Sequence, residues 1–166
     1  MNEIQKKPIY SKLAEIYDHI MSDVDYAYWA EYIDDLLHQH HPEPTAITEL
    51  SCGTASLTLE LSKLGDYDLQ ACDASPDMVL VGSKKLDTLA QPIPCFEASF
   101  DNLLAIREQD ALISVFDSVN YLLQPGEIEH FFHEAAKCLT VNGLLIFDFS
   151  TPKHSIEAVQ HLIEIE

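Results

Sequence analysis

Residues 51–55 (SCGTA) and Asp73 are the parts of this 166-residue sequence whose types and spacing could do chemistry. Residues 47–51 are predicted to form a buried strand, which a turn around Gly53 joins to a helix over 55–64. A second predicted strand ends beside Asp73, about twenty residues further on. A turn of small residues lets a ligand approach the backbone, and a carboxylate at the next strand end can accept both hydroxyls of a ribose. The pattern therefore predicts a site for an adenosine moiety.

The elements that must position these residues alternate along the chain. Strands are predicted at 47–51, 67–72, 94–98, 111–116 and 144–149, and helices at 55–64, 76–89 and 125–139. Strands that are apolar at nearly every residue are typical of a parallel sheet covered by helices on both faces. Five successive βα units predict a doubly wound, Rossmann-like α/β fold. Apolar residues at helical spacing over 9–40 predict a helical layer before the sheet.

The composition restricts the class of partner. The chain has 28 acidic and 9 basic residues and a net charge of −19 at pH 7. Such a field repels phosphate backbones and anionic lipid, so we expect neither nucleic acid nor a membrane as a partner. No apolar run approaches the roughly 18 residues of a membrane span. The polar first residues do not resemble a secretory signal, so we expect a cytoplasmic protein.

The cysteines and histidines do not form metal-binding motifs. Cys52, Cys72, Cys95 and Cys138 are far apart and include no CxxC pair, so we interpret them as buried thiols and expect no metal. Cys52 is the exception to watch, because it lies inside the glycine turn. The tract 38–41 (HQHH) comes just before two prolines and is interpreted as a solvated helix end.

The turn itself discriminates between nucleoside cofactors. A dinucleotide site favours GxGxxG, because the pyrophosphate must contact bare backbone at a helix N-terminus. Ser51, Gly53 and Ser56 occupy those three positions, which disfavours NAD and an oxidoreductase. S-adenosylmethionine has no phosphate and is less demanding there. Glu49 late in the first strand would place a negative charge near its α-amino group.

Taken together, the motifs resemble those of class I S-adenosylmethionine-dependent methyltransferases, of the small-molecule type that includes sugar-amine N-methyltransferases. Residues 49–55 match the motif acidic-x-G-x-G-x-G, with Ser51 and Ala55 in place of its outer glycines. Residues 72–78 match its acidic strand end and following helix start. Further matches lie at Tyr10, 14–18, 25–26 and Trp29 in the lid helices, at 114–122 in the fourth strand, and at 139–148 in the fifth, where Asn142 replaces a usual glycine.

The resemblance implies a division of labour. Residues 1–41 would form a helical lid, and residues 42–166 would form the cofactor-binding core of the same structural domain. Asp73 would hold the ribose, Met78 or Ala74 would pack on the adenine, and Ser99 stands where the family usually has an acid that contacts the adenine. The cofactor-binding residues implied are Tyr17, Tyr26, Glu49, Ser51, Cys52, Gly53, Thr54, Ala55, Asp73, Ala74, Met78, Ser99, Phe100, Phe116 and Asp117.

The implied reaction is methyl transfer to a small-molecule acceptor. This is an in-line displacement at a carbon activated by positive sulfur, so the enzyme has mainly to align the reactants and exclude water. Tyr121 or Asn120 would face the acceptor and act as catalytic residues. The motifs do not identify the acceptor.

The family normally adds a sixth and a seventh strand, which this sequence lacks. The fifth strand would then be an open sheet edge, so the chain is expected to be a fragment, to be covered by a second protomer or to aggregate. The side chains of Ser51 and Ala55 would also crowd the cofactor turn. A catalytically inactive methyltransferase-like binding domain is therefore the alternative.

Overall fold

The computed structural model describes residues 13–153 and residue 156. Its centre is a five-stranded, fully parallel sheet in the order β3-β2-β1-β4-β5. The strands are β1 (Ala46–Leu50), β2 (Asp68–Asp73), β3 (Cys95–Glu97), β4 (Gln109–Ser114) and β5 (Leu139–Phe147). The strand order reverses between β1 and β4, and such a switch point opens a crevice at the carboxyl ends of the strands. The prediction of a doubly wound α/β fold is confirmed.

Two of the described helices begin at side-chain caps. The helices are α1 (Tyr17–Ile20), α2 (Tyr26–His40), α3 (Ser56–Leu61), α4 (Pro76–Leu86) and α5 (Glu127–Cys138), with 3₁₀ turns at Ala14–Ile16 and Ser118–Tyr121. The Asp25 carboxylate accepts a hydrogen bond of 3.0 Å from the Tyr28 backbone N–H and starts α2. Ser75 caps α4, whose first position is Pro76.

The core lies on both faces of the sheet. On one face α2 and α3 bury Ile33, Leu37 and Leu61 against Ile47 of β1. On the other face α5 buries Phe131, Ala135 and Cys138 against β1, β2 and β4. Neighbouring residues of a strand point to opposite faces, so β1 and β4 are buried almost throughout. This double burial explains the apolar residues on both faces of these strands, with Thr48, Glu49, Gln109 and Ser114 as buried polar exceptions.

The fifth strand differs from its prediction. It begins at Leu139 rather than 144 and ends at Phe147 rather than 149. Its pairing with β4 shifts register between Gln109 and Ala111, and Asn142 there has a left-handed φ of 69°. Among the strands that the structure describes, β5 pairs with β4 alone, and most of its residues are only half-buried. The expectation that β5 would lie at a sheet edge holds within the part of the chain that the structure describes.

The connection between β3 and β4, over which no helix was expected from the apolar spacing, is irregular. Residues 98–108 form turns rather than a helix, yet Leu103 and Ile106 are fully buried against the α5 side of the sheet. Tyr10 lies outside the described residues. Over the ranges 13–153 and 156, no helix has both the length and the apolar character needed to cross a membrane.

Candidate functional site

A cleft of about 1050 Å³ opens at the carboxyl ends of β1, β2 and β4. The predicted site residues that line it are Tyr17, Tyr26, Glu49, Ser51, Cys52, Gly53, Thr54, Asp73, Ala74, Met78, Ser99, Phe100, Phe116, Asp117 and Tyr121. Ala55 and Asn120 are the predicted residues that do not line it. Most of the predicted set therefore converges on one cavity, although it comes from five separate segments of the chain.

The loop between β1 and α3 forms the floor of the cleft. Ser51, Gly53 and Ala55 all have left-handed backbones, with φ of 51°, 55° and 59°. Only glycine adopts this conformation without steric cost, so Ser51 and Ala55 are strained. Backbone strain of this kind is common at ligand sites. The sequence predicted that the Ala55 methyl group would crowd the cofactor turn. Ala55 is instead fully buried, and its methyl group does not reach the cleft. The Ser51 hydroxyl is 3.0 Å from the Ser114 hydroxyl on β4.

Asp73, at the end of β2, is held in one orientation by backbone groups. One carboxylate oxygen accepts a 2.8 Å hydrogen bond from the Gly53 N–H, and the other accepts a 2.8 Å hydrogen bond from the Ser75 N–H. Burial raises the pKa of the Asp73 carboxyl above its ordinary value, although the backbone donors oppose the shift. The remaining lone pairs of the carboxylate are available to hydroxyl groups in the cleft.

Glu49 is almost completely buried at the bottom of the cleft. Its carboxyl accepts a short hydrogen bond from the Thr58 hydroxyl on α3. Burial raises the pKa of Glu49 to about 8, and the Thr58 hydrogen bonds only partly offset this effect. A pKa raised in this way weakens the negative charge that the sequence suggested for Glu49 at neutral pH. A cation bound nearby would favour ionisation of the carboxyl.

Aromatic rings form part of the wall of the cleft. The rings of Tyr26 and Trp29 approach the Phe116 ring edge-on, with centroids 5.4 Å and 5.1 Å away. Tyr17 lies over the loop, since a Cβ added at Gly53 would be 3.6 Å from its ring. Burial raises the pKa of Tyr26 to about 12, which keeps this phenol neutral. The wall is thus apolar, with neutral hydroxyl groups at its rim.

Asp18 brings a carboxylate to the start of α3, the kind of helix end at which a dinucleotide binds its pyrophosphate. Its carboxylate accepts hydrogen bonds of 2.5 Å from Thr54 and 3.3 Å from Ser56, and lies 2.9 Å from the Lys85 ammonium. Partial burial opposes ionisation, but the bonds from Thr54 and Lys85 prevail and hold the pKa of Asp18 below its ordinary value. A carboxylate at this helix start would repel a pyrophosphate, which disfavours NAD as the ligand.

Asp148, just after β5, organises the end of β4. Its two carboxylate oxygens accept hydrogen bonds of 3.1 Å and 2.8 Å from the backbone N–H groups of Phe116 and Asp117, which both have left-handed φ. The Asn120 amide donates to the Ser150 carbonyl and accepts from its N–H, each at 3.0 Å. Asn120 therefore braces this loop instead of facing the cleft.

The far end of the cleft contains residues that the sequence prediction missed. These are Ser75, Asp101, Ser118, Leu122, Pro125, Gly126, Glu127 and His130. Ser99 donates a 2.5 Å hydrogen bond to Asp101, so a carboxylate two residues later approaches the position where the family usually has an acid. A search for acids just beyond Ser99 would have found Asp101, whereas no local signal marks Glu127 or His130.

The charge of the lining is one-sided. The cleft contains the acids Glu49, Asp73, Asp101, Asp117 and Glu127, and no lysine or arginine lines it in the described part of the chain. Such a site favours neutral or cationic ligands over phosphates. Nor do the described residues include a cluster of three or more His, Cys, Asp or Glu side chains that could hold a metal ion.

Comparisons with known proteins agree with this geometry. A family model described as a methyltransferase domain matches residues 47–143. YqeM of Bacillus subtilis (strain 168) is 29% identical over 141 residues, which are 84% of this chain and 55% of YqeM. The chain therefore spans about half the length of this curated relative.

Solved structures give the same result. An S-adenosylmethionine-dependent methyltransferase from Clostridium acetobutylicum ATCC 824 superimposes with a TM-score of 0.73 at 28% identity, over 86% of this chain and 58% of that chain. The sugar N-methyltransferase KedS8 from Streptoalloteichus sp ATCC 53650 gives a TM-score of 0.75 at 22% identity, over 92% and 62%. Because the family model covers more than half of its residues, the chain belongs to the methyltransferase domain family.

Proposed function

We propose that the chain binds S-adenosylmethionine in this cleft and forms the cofactor-binding part of an enzyme that methylates a small molecule. The observation that carries the proposal is the Asp73 carboxylate, oriented by the Gly53 and Ser75 N–H groups beside a loop that exposes its backbone. Family membership and the Clostridium relative support the choice of cofactor.

Each part of the cofactor has a matching surface. The ribose hydroxyls would bind Asp73, and the adenine would lie between Met78 and Phe100. The ammonium group of the methionine part would approach Glu49 and favour ionisation of the Glu49 carboxyl. The sulfonium would face the rings of Tyr17 and Tyr26. The absence of cationic side chains from the described lining also supports a positively charged cofactor.

The cleft has room for an acceptor as well. Its volume of about 1050 Å³ lies at the upper end of the roughly 300–1,000 Å³ typical of small-molecule sites. We propose that Tyr121 faces the acceptor, that Asn120 holds the Tyr121 segment in place, and that residues 1–41 act as a lid. The lid is supported by the position of Tyr17 over the cofactor loop. The hydrogen bonds of Asp18 with Thr54 of that loop and Ser56 of α3 also support it. KedS8, which is described as a sugar N-methyltransferase, supports a small polar acceptor.

Calorimetry with S-adenosylhomocysteine tests the cofactor, because this product keeps the ribose and the amino-acid tail. We expect saturable heat with S-adenosylhomocysteine and no signal in a fluorescence titration with NADH. No heat at millimolar S-adenosylhomocysteine, or a clear NADH signal, would refute the proposal.

The alternative is a family member that binds the cofactor without turnover. Strain at Ser51 and Ala55 favours it, since both residues stand where the family motif has glycine. Incubation of methyl-labelled S-adenosylmethionine with a mixture of amino sugars separates the two readings. Labelled product supports the enzyme, whereas cofactor binding without product over a broad acceptor panel supports the binding domain.

A further inference from the structure

Two cysteines meet beneath the cofactor loop. The sulfurs of Cys52, just after β1, and Cys95, the first residue of β3, are 4.0 Å apart. The two residues lie on either side of β2, and Cys95 pairs with Ala71 of that strand. Ala71 is fully buried in one cluster with both cysteines. Because its side chain is only a methyl group, the sulfurs can approach each other across the strand.

The sulfurs are part of the packing between the loop and α4. A Cβ added at Gly82 of α4 would lie 3.2 Å from the Cys95 sulfur, 3.3 Å from the Ala55 methyl carbon and 3.4 Å from the Thr54 carbonyl carbon. The helix, the sulfur and the loop are therefore in close contact. Since close-packed interiors transmit displacements, a change in the sulfur separation must move the loop.

We propose that Cys52 and Cys95 form a reversible oxidation site, at which a peroxide converts the thiol pair into an intrachain disulfide. One thiolate attacks a peroxide oxygen, the O–O bond breaks, and a sulfenic acid and the first water form. The second thiol then displaces the sulfenic hydroxyl, so the S–S bond forms and the second water leaves. Each cysteine loses one electron overall, and hydrogen peroxide is reduced to two waters.

The four cysteines differ in a way that makes this pair selective. The hydrogen bond from the Cys52 S–H lowers the pKa of Cys95, and Cys95 is partly exposed. Burial raises the pKa of Cys72 and of Cys138, so these thiols remain protonated and unreactive. Cys95 is therefore the attacking thiol, and Cys52 is the partner that resolves its sulfenic acid.

Disulfide formation would disturb the proposed ribose site. The sulfurs must close from 4.0 Å to about 2.05 Å, and the pairing of β3 with β2 restrains Cys95. The Cys52 N–H also donates to the Cys72 carbonyl of β2 at 2.9 Å, so closure of the sulfurs strains the loop around Cys52 as well. Its neighbour Gly53 donates to Asp73, so a shift of the loop displaces the donor that orients the carboxylate. This consequence rests on the proposed function, whereas disulfide formation does not.

Mass spectrometry tests the site itself. The wild type, C95S and C138S are treated with hydrogen peroxide, and their intact masses and non-reduced peptides are compared. We expect the wild type and C138S to lose two hydrogen atoms and to yield a Cys52–Cys95 linked peptide, which dithiothreitol removes. C95S should give no link. An unlinked wild type, or one linked between other cysteines, would overturn the proposal.

Calorimetry with S-adenosylhomocysteine tests the consequence. Oxidised wild type should bind at least about tenfold more weakly than the reduced protein, within the range usual for coupling between two sites. Dithiothreitol should restore the affinity, and peroxide should leave that of C95S unchanged. Equal affinity of the oxidised and reduced forms would overturn the coupling. If the reduced protein does not bind, the proposed function fails, while the peptide map still decides the disulfide.

Discussion

Asp73 carries the largest expected effect of any single residue. In Asp73→Asn the amide group cannot accept from the N–H groups of both Gly53 and Ser75, and the charge that would bind the ribose hydroxyls is lost. Loss of such charged hydrogen bonds costs about 1.5–3 kcal/mol, so the Kd for S-adenosylhomocysteine should rise roughly 10- to 150-fold. Calorimetry measures it, with Asp77→Asn, which lies outside the cleft lining, as the control. An unchanged Kd for Asp73→Asn would contradict the assignment.

Glu49 predicts a pH dependence of stability. Its pKa is raised in the folded state from about 4.5 to about 8, so its contribution to stability is complete below about pH 4.5 and is lost as the pH rises through about 8. Glu49→Gln keeps an acceptor for the Thr58 hydroxyl and removes the titration. The free energy of unfolding of the variant should equal that of the wild type near pH 4.5 and exceed it by a few kcal/mol near pH 9. Thermal melts over this range measure the difference, and parallel curves would contradict the buried ionisation.

A matched pair of ligands isolates the proposed role of Glu49 in binding. S-adenosylhomocysteine has the ammonium group, and 5′-methylthioadenosine lacks the whole amino-acid tail. Glu49→Gln should weaken binding of the first ligand about tenfold or more, in line with the loss of a charged hydrogen bond, and leave the second unchanged. If calorimetry shows equal losses for both ligands, Glu49 does not contact the tail.

Site residues that the local sequence pattern marks could be predicted. Residues whose role depends on contacts with distant parts of the chain could not. Gly53 and Asp73 stand at the ends of recognisable strands, so their positions follow from the pattern. Asp18 contacts a residue 36 positions away, and no strand end marks it. Asp148 does follow β5, but its contact with Phe116, 32 positions away, appears only when β4 and β5 pair. The raised pKa of Glu49 was also hidden, because it depends on burial in the folded protein.

At the scale of elements, the close approach of α4 to the cofactor loop should be sensitive to a single methyl group. Gly82→Ala places its Cβ within 3.4 Å of Cys95, Ala55 and the Thr54 backbone. Overpacking of this kind typically costs about 1–3 kcal/mol, more than the gain of about 1 kcal/mol in helix propensity. The variant should melt earlier and bind S-adenosylhomocysteine more weakly. Addition of Ala55→Gly should recover part of the loss, and strict additivity in the double-mutant cycle would contradict the contact.

Tryptophan fluorescence can report on the hydrogen bonds by which Asp148, after β5, holds the end of β4. Asp148→Asn removes one of the two carboxylate bonds that hold Phe116 and Asp117 in left-handed conformations. Phe116 should then move relative to Trp29, the single tryptophan of the chain, whose ring lies 5.1 Å away. We expect a shift in tryptophan emission for Asp148→Asn and none for the exposed control Asp66→Asn. Identical spectra would show that Asp148 does not position Phe116.

Element predictions succeeded where the hydrophobic pattern alone decides the structure. β1 and β4 are buried on both faces, so their apolar runs marked them to within two residues at each end. β5 begins five residues earlier than predicted, because Asn142 adopts a left-handed backbone and lets the chain re-pair after a register shift. The connection over residues 98–108 buries Leu103 and Ile106 without a helix. Apolar spacing cannot distinguish a short buried helix from a buried irregular segment.

At the scale of the whole molecule, charge and the open sheet edge act in opposite directions on self-association. Within the described residues, β5 has one strand partner. The Phe147 ring at its end lies 5.6 Å from the Phe132 ring and 6.3 Å from the Phe149 ring. Phe149 is 60% exposed and Val141 is 90% exposed. An unpaired edge beside exposed apolar side chains favours pairing with a second copy. The net charge of −19 opposes it.

Ionic strength should therefore decide the oligomeric state. The Debye length falls from about 30 Å at 0.01 M salt to about 8 Å at 0.15 M, so repulsion between copies weakens while the apolar edge is unaffected. Light scattering should show a rise in mass with salt and with protein concentration. Phe149→Lys should abolish the rise, whereas Leu80→Lys, which replaces an exposed leucine on α4, should not. A mass that stays constant with salt, or that responds equally to both substitutions, would show that β5 is not the surface through which two copies meet.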